Sequence, residues 1–262
     1  YFFLKIVNQN IASKKTIYLG VTKESCKFLE LIESVKSNQI RLLPIGYSST
    51  FFHVPKDIKE FIDIRKEVRN ELGIDFNSLL ITQTGKISSD KRPDLTIKAS
   101  QYELINNLGH ILFIGPHSNE EKLKLKKIFK EIKKPNWNLH FYENVEFNQL
   151  NKFFIASDLL SFPGGASLSC IEGASSGCPS VVAHTPEGKI RSKIGIAKVP
   201  KNDSDESFLE TLYLSIKELD YFSRDNNKLF EKSLYISKLV EDFSYKSVSK
   251  LLIKIIKDIK KN

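Results

Sequence analysis

Two lysines on one loop, and a glycine-rich turn followed by a lone carboxylate on another, are the residues whose types and spacing could do chemistry in this chain. The segment Phe162-Pro163-Gly164-Gly165-Ala166-Ser167-Leu168-Ser169-Cys170-Ile171-Glu172 ends an apolar strand, turns on paired glycines and enters a helix. Gly164 and Gly165 allow a tight backbone with exposed N–H groups, and the positive end of the following helix dipole faces the same way. That geometry favours a phosphate or diphosphate. Glu172, about two helical turns on, is placed to accept hydrogen bonds from sugar hydroxyls. A loop, a helix start and one acid make a nucleotide-sugar site. The same residues also admit a plainer reading. Gly-Gly after a strand is often a tight turn, and small residues such as Ala174, Ser175 and Ser176 permit close helix–sheet packing.

Three further loops carry suitable groups. After the apolar run Leu79–Thr82 come Gln83-Thr84-Gly85-Lys86 and then Ser88-Ser89-Asp90-Lys91-Arg92-Pro93-Asp94. Gly85 turns the chain, Lys86 and Lys91 are placed to meet a diphosphate, and Arg92 adds a fork-shaped donor. Solvated lysines with no ligand are the competing interpretation. Phe113-Ile114-Gly115-Pro116-His117 is another strand end with a glycine turn, in which His117 reads as a polar loop residue with no tuning partner nearby in sequence. After Phe141, the residues Tyr142, Glu143, Asn144 and Val145 offer backbone and an aromatic face to a base.

The elements that must position these loops alternate. Strands are expected at Thr16–Val21, Ile40–Ile45, Ser78–Thr82, His110–Ile114, Trp137–Phe141, Leu159–Phe162 and Ser180–Ala183. Helices are expected at Lys23–Ser34, Lys59–Leu72, Pro93–Ile105, Asn119–Lys133, Phe147–Ala156, Leu168–Ser176, Glu206–Leu219 and Asn227–Glu241, with a last one at Tyr245–Lys260. Tyr47 to Lys59, polar and containing Pro55, reads as a linker. Strands alternating with helices imply an α/β fold with a parallel sheet and right-handed crossovers. Such sheets bind ligands at the carboxyl ends of their strands, where all four loops lie.

Composition narrows the classes. With 41% hydrophobic and 27% charged residues, the 262-residue chain reads as soluble and globular. Its apolar runs fall far short of the ~20 residues that cross a bilayer. Cys26, Cys170 and Cys178 are an odd count with no CxxC pair, which suits a reducing, cytoplasmic setting. A formal charge of +9 invites nucleic acid, an anionic surface or a phosphorylated ligand. The lysines are mixed with acids and lack interleaved aromatics, which argues against nucleic acid. The chain starts at Tyr1, lacks methionine and opens with Tyr1–Val7 as if inside an apolar element, so an N-terminal truncation is expected.

With these loops in view, the chain from about Ile17 to Ile256 resembles the retaining group-1 glycosyltransferases of GT-B architecture (glycosyltransferase family 4-like), mainly their C-terminal, donor-binding domain. The pieces that carry the resemblance are Thr22-Lys23-Glu24, Ile40–Gly46, Thr84-Gly85-Lys86 with Lys91-Arg92-Pro93-Asp94, Phe113-Ile114-Gly115, Gln149-Leu150 with Ala156-Ser157-Asp158, the Gly-Gly to Gly-x-Pro segment, and Phe243-Ser244-Tyr245. Each is weak alone; their order and spacing are specific.

The resemblance implies a Rossmann-like domain with a parallel sheet (the GT-B C-terminal half) plus a remnant of a second Rossmann-like domain. It implies boundaries at 1–48 (remnant), 49–73 (linker and linker helix), 74–242 (nucleotide-sugar domain) and 243–262 (crossover helix). Lys86 and Lys91 would stabilise the leaving diphosphate, making them the catalytic candidates. Gly85, Gly115, Tyr142, Gly164, Gly165, Ala166, Ser167 and Leu168 would surround the donor, and Glu172 would hold the ribose. The first acid of the family's E-x7-E pattern falls on Gly164, so that carboxylate is missing, and His117 replaces the second glycine of its loop.

The implied activity is a hexosyltransferase-type transfer, with retention, from a UDP- or GDP-linked sugar to a glycan or lipid-linked acceptor. No cofactor or metal is expected, since no Asp-x-Asp pair stands near a strand end. A nucleotide-sugar epimerase of the same architecture and a truncated, non-catalytic binding module are the alternatives. The final helix places Val248, Leu252, Ile255 and Ile259 on one stripe beside lysines. Packing against protein is favoured over peripheral contact with the inner face of the membrane.

Overall fold

In the computed structural model, the described residues are 16–31, 33, 35–104, 108–143, 145–222 and 225–261; the expected apolar element at Tyr1–Val7 lies outside them. The chain divides into two compact units, residues 1–46 with 242–262, and Tyr47–Glu241.

In the smaller unit, β1 (Tyr18–Gly20) and β2 (Ile40–Leu42) pair in parallel with Tyr18 opposite Ile40. Between them lies α1 (Lys23–Leu31). Thr22 and Ser25 cap that helix reciprocally, the Ser25 N–H donating to Thr22 Oγ1 at 3.0 Å and the Thr22 N–H to Ser25 Oγ at 2.9 Å. The final helix, Tyr245–Lys261, belongs to the same unit and begins over Gly46, where a Cβ would stand 2.6 Å from Tyr245 Cδ1. Ile255 on its apolar stripe is buried, whereas Ile253 and Ile256 are exposed.

The larger unit carries the site. Helix α2 (Ile58–Glu71) precedes β3 (Leu79–Thr84), and α3 (Pro93–Ile97) leads to β4 (Gly109–Ile114). Then follow α4 (Asn119–Ile132), β5 (Trp137–Tyr142), α5 (Leu150–Ala156), β6 (Leu159–Phe162), α6 (Leu168–Ser175) and β7 (Ser180–Val182). The unit closes with α7 (Pro186–Lys193), β8 (Ala197–Lys198), α8 (Asp205–Phe222) and α9 (Asn226–Lys238); the helix Tyr245–Lys261 is α10. The six strands β3–β8 form one parallel sheet in the order β5-β4-β3-β6-β7-β8. β3 and β4 run in register from Leu79 opposite Gly109 to Thr84 opposite Ile114. Every residue of β4 is buried, as a parallel strand covered on both faces requires. Ile81, Ile111, Phe113, Trp137, Val181 and Leu212 lie in its largest apolar cluster.

The strand order reverses beside β3. β4 and β5 extend to one side, and β6, β7 and β8 extend to the other. The carboxyl ends of β3 and β6 flank this switch point, the place where open parallel sheets form their ligand crevice.

A buried ion network fixes the opposite end of the sheet. Arg65 Nη2 lies 2.5 Å from Asp158 Oδ1, and Arg69 Nη2 lies 2.8 Å from Asp158 Oδ2. Asp158 Oδ2 also accepts from the Leu80 N–H at 2.8 Å. Arg69 donates to the carbonyls of Ala156, Phe76 and Ser78, so α2 is tied to both central strands.

Two expectations need correction. The helix expected over Pro93–Ile105 ends at Ile97 and passes into a short 3-10 turn at Lys98–Gln101, because Ser100 Oγ bonds the Ile97 carbonyl and Trp137 Nε1 bonds the Tyr102 carbonyl. Phe147 stands outside α5, its ring edge-on to Phe52 at 5.0 Å. The segment expected as a linker packs on the larger unit from Tyr47 onward: Phe52 is fully buried, its carbonyl accepts from Ser175 Oγ at 2.6 Å, and Asn151 bonds both the N–H and the carbonyl of His53. α7 and β8 were not anticipated.

Candidate functional site

The glycines at the crevice are there because backbone meets backbone. Gly115 has φ +141°, and a Cβ on it would run into the Gly85 carbonyl. Gly85, at φ +106°, turns the chain out of β3, its N–H donating to the Ile114 carbonyl at 2.9 Å. The Ile87 N–H then donates to the Pro116 carbonyl at 3.0 Å, so the β3 and β4 loops are laced together.

Across the crevice, Gly164 meets the Ser88–Lys91 turn. A Cβ on Gly164 would stand 2.5 Å from Lys91 Cα and 2.6 Å from the Asp90 carbonyl oxygen. That turn is held from inside by Gln83 at the end of β3. Gln83 Nε2 donates to the Lys91 carbonyl at 3.0 Å, and its Oε1 accepts from Thr96 Oγ1 at 2.6 Å. Because the single Thr96 proton is committed to Gln83, the Ser161 hydroxyl on β6 must donate to Thr96 across 2.8 Å. One buried polar chain thus joins β3, α3 and β6 and fixes the backbone of Lys91.

The side chains of Lys86 and Lys91 are exposed. Both act on Asp90, whose carboxyl is held below its ordinary range chiefly by the Ser88 hydroxyl and further by Lys91 and Lys86. Lys91 Nζ lies 3.8 Å from Asp90 Oδ2. Opposite them, Gly165 at φ +121° closes the turn, its N–H donating to the Phe162 carbonyl at 3.2 Å. The N–H groups of Ala166, Ser167 and Leu168 find no acceptor among the described residues, and α6 has no acid in its first turn. Two hydroxyls at the crevice, Thr84 Oγ1 and Ser167 Oγ, are shielded from solvent and also lack a partner among the described residues.

Glu172 lies deeper on α6 and is buried. Burial raises its pKa, while a hydrogen bond with Ser169 opposes the shift. The loops after β3 and β6 meet at Lys91 and Gly164 and carry two lysines, N–H groups without an acceptor among the described residues and, on α6, a buried acid, groups of the kind that suit a diphosphate joined to a polyol. The small residues of α6 serve packing as well. A Cβ on Gly173 would strike Leu160, so helix and strand are in close contact.

No family model matches the sequence, and no curated protein matches it. Solved structures do match. A glycosyltransferase from Rickettsia africae superposes with a TM-score of 0.74 at 15% identity, over 99% of this chain and 68% of that one. Sucrose-phosphate synthase from Thermosynechococcus elongatus gives 0.69 at 13% identity, over 99% and 62%. HepE from Anabaena, in complex with UDP and glucose, gives 0.71 at 10% identity, over 98% and 66%. The fold is that of the GT-B glycosyltransferases. The chain spans 62 to 68% of the length of these three structures.

Within this GT-B fold the remaining candidates separate. Arg92 is not a free donor. It adopts φ +51°, and its guanidinium reaches Asp205 at 2.6 Å and Asp94 at 3.2 Å, contacts that raise its pKa. It fastens the loop to α8 instead. The hydroxyl of Tyr142 bonds Glu71, and its ring lies 5.3 Å from that of Phe153. The contribution of Tyr142 to the crevice is its carbonyl, which accepts from the Gly115 N–H at 2.9 Å. His117 has one partner its sequence neighbourhood did not suggest: its side chain is shielded and Nδ1 lies 2.9 Å from the Gly115 carbonyl, while Nε2, 3.4 Å from Glu143 Oε1, makes no hydrogen bond among the described residues. Gln83, Thr96, Ser161 and Asp205 hold the candidate loops in place, and sequence reasoning missed them. A polar Gln closing an otherwise apolar strand was the one visible signal.

Proposed function

We propose that this chain carries the nucleotide-sugar site of a glycosyltransferase that moves a sugar, with retention, from a UDP- or GDP-linked donor to a glycan or lipid-linked acceptor. The observation that carries the reading is the crevice at the reversal of strand order. There the Ser88–Lys91 turn packs against Gly164, the N–H groups of Ala166, Ser167 and Leu168 have no acceptor among the described residues, and Glu172 is buried on α6. A departing nucleoside diphosphate accumulates negative charge, and fixed cations and amide dipoles stabilise it in proportion to their preorganisation. Lys86 and Lys91 supply that charge from the protein itself, without a metal. Glu172 accepts from the ribose hydroxyls. HepE, which shares the fold, binds UDP and glucose, and this supports a nucleotide-sugar ligand for the same crevice.

A thermal-shift screen of UDP, GDP, ADP and their sugar conjugates tests the reading. A ligand that binds only the native state raises the melting temperature, by roughly 2.7 kcal/mol of added stability at a hundredfold excess over Kd. UDP or GDP should stabilise the chain. If no nucleotide shifts the transition at millimolar concentration, the reading fails.

A further inference from the structure

The last helix carries a second apolar stripe beside the one read from its sequence. Along α10 (Tyr245–Lys261), Val248, Leu252, Ile255 and Ile259 turn inward: Ile255 is buried and the other three are partly covered. One position on from Ser244, Val248, Leu252 and Ile255 stand Tyr245, Ser249, Ile253 and Ile256. Consecutive helical residues lie about 100° apart, so these four form a separate stripe beside the first. Its large members face solvent, Tyr245 being 55% exposed, Ile253 52% and Ile256 44%. One position further on come Lys246, Lys250, Lys254 and Lys257, all exposed and spaced to line a third stripe about 17 Å long.

Among the described residues, none of these four lysines forms an ion pair. The helix holds six lysines and one acid, Asp258, which lies off both exposed stripes. No described helix is long and apolar enough to cross a membrane. An exposed aliphatic stripe flanked by cations instead suits a helix lying in the plane of an anionic bilayer, its apolar side in the acyl boundary and its lysines at the headgroups. Nucleic acid fits less well. It calls for cations interleaved with stacking aromatics or guanidiniums, whereas the stripe beside these lysines is mainly aliphatic and the helix has no arginine. A second copy of the chain would bring two lysine stripes together across a two-fold contact.

We propose that α10 docks this protein on an anionic lipid bilayer. Ile253 and Ile256 enter the boundary between headgroups and acyl chains, Tyr245 sits at headgroup level, and Lys246, Lys250, Lys254 and Lys257 meet the lipid anions. The inward stripe keeps the helix folded on the protein and leaves the outward one to the lipid. A contact made of a few side chains and a charge stripe is reversible and depends on salt. It stands independently of the nucleotide-sugar reading.

Co-sedimentation of the 262-residue chain with vesicles tests it. The chain should partition onto phosphatidylcholine vesicles containing about 30% phosphatidylserine but not onto phosphatidylcholine alone, and raising salt from about 0.1 M to about 0.5 M should weaken the binding. Lys250→Gln with Lys254→Gln should lower the partition coefficient by about 25-fold, roughly fivefold per lysine. Ile253→Gln with Ile256→Gln should lower it by about tenfold or more. Lys126→Gln with Lys130→Gln, at exposed positions of α4, should change it by less than about twofold. Melting temperatures measured alongside should match wild type, since all these positions are exposed; if a pair unfolds the chain, Lys254→Gln and Ile256→Gln singly decide by the same criteria. Failure to sediment with anionic vesicles, equal losses from the two lysine pairs, or full binding by the isoleucine pair would each overturn the proposal. An oligonucleotide complex weakened by the α10 lysine pair, or a dimer dissolved by the isoleucine pair, in a chain that ignores vesicles would overturn it in favour of that partner.

Discussion

Glu172 is a buried carboxylate hydrogen-bonded to the Ser169 side chain, and burial lifts its pKa above the ordinary value. A carboxyl whose folded pKa is raised contributes stability below its unfolded pKa and loses it as pH rises through the folded one. At neutral pH Glu172 is therefore a destabilising residue that function would have to justify. Glu172→Gln should raise the melting temperature at pH 7, and the gain should vanish at pH 3, where wild type is protonated too. A gain that persists at pH 3 would show that ionisation is not its source. Lys86 and Lys91 are exposed, so replacing them should leave stability within about 0.5 kcal/mol, as for ordinary surface positions. The glycine turn and the carboxylate after it could be read from sequence because turn residues and their spacing are local. The Arg92–Asp205 pair could not: its partners stand 113 positions apart and meet only through packing.

At the scale of elements, the crevice depends on loops that touch through their backbones. Gly115→Ala sets a Cβ against the Gly85 carbonyl at a backbone φ of +141° that L-residues rarely adopt. It should cost about 1–3 kcal/mol in stability by that strain, and nucleotide binding should fall further as the β3 loop moves. Urea titration and calorimetry would show both effects; a variant with wild-type affinity would mean that the β4 loop does not shape the site. At the other end of β6, burial alone would raise the Asp158 pKa, and Arg69 and Arg65 overcome it so that the pKa falls. Asp158→Ala leaves two buried guanidiniums uncompensated and should destabilise by about 3–5 kcal/mol. The alternation of strands and helices was plain in the sequence, since buried parallel strands are short apolar runs. α7 and β8 escaped notice because α7 has Ile190 as its one large apolar residue and β8 is only two residues long.

For the whole molecule, a common GT-B fold at 10 to 16% identity means that the same architecture is built from largely different side chains. The crevice keeps two cations and a helix start, whereas Gly164 has no side chain and its place is filled by the Ser88–Lys91 turn. No described helix is long and apolar enough to cross a membrane. The fold also has an acid-sensitive edge. His110 on β4 lies 2.9 Å from His140 on β5, and burial together with the charge of His140 pushes its pKa down to about 4. A histidine with a depressed folded pKa contributes stability above its unfolded pKa near 6.5 and loses it as pH falls toward 4. Melting temperature should therefore decline across that window, and His110→Gln should flatten the decline; an unchanged slope would remove the pair as its cause.

The central claim is that Lys91 and Glu172 grip a nucleoside diphosphate from the two sides of one crevice. Titration calorimetry of UDP and GDP against wild type, Lys91→Ala and Glu172→Ala tests it most directly. The account predicts measurable binding of at least one nucleotide by wild type, weakened by about 1–3 kcal/mol in each variant, as for a lost hydrogen bond to a charged group. Unchanged affinity in both variants would contradict it.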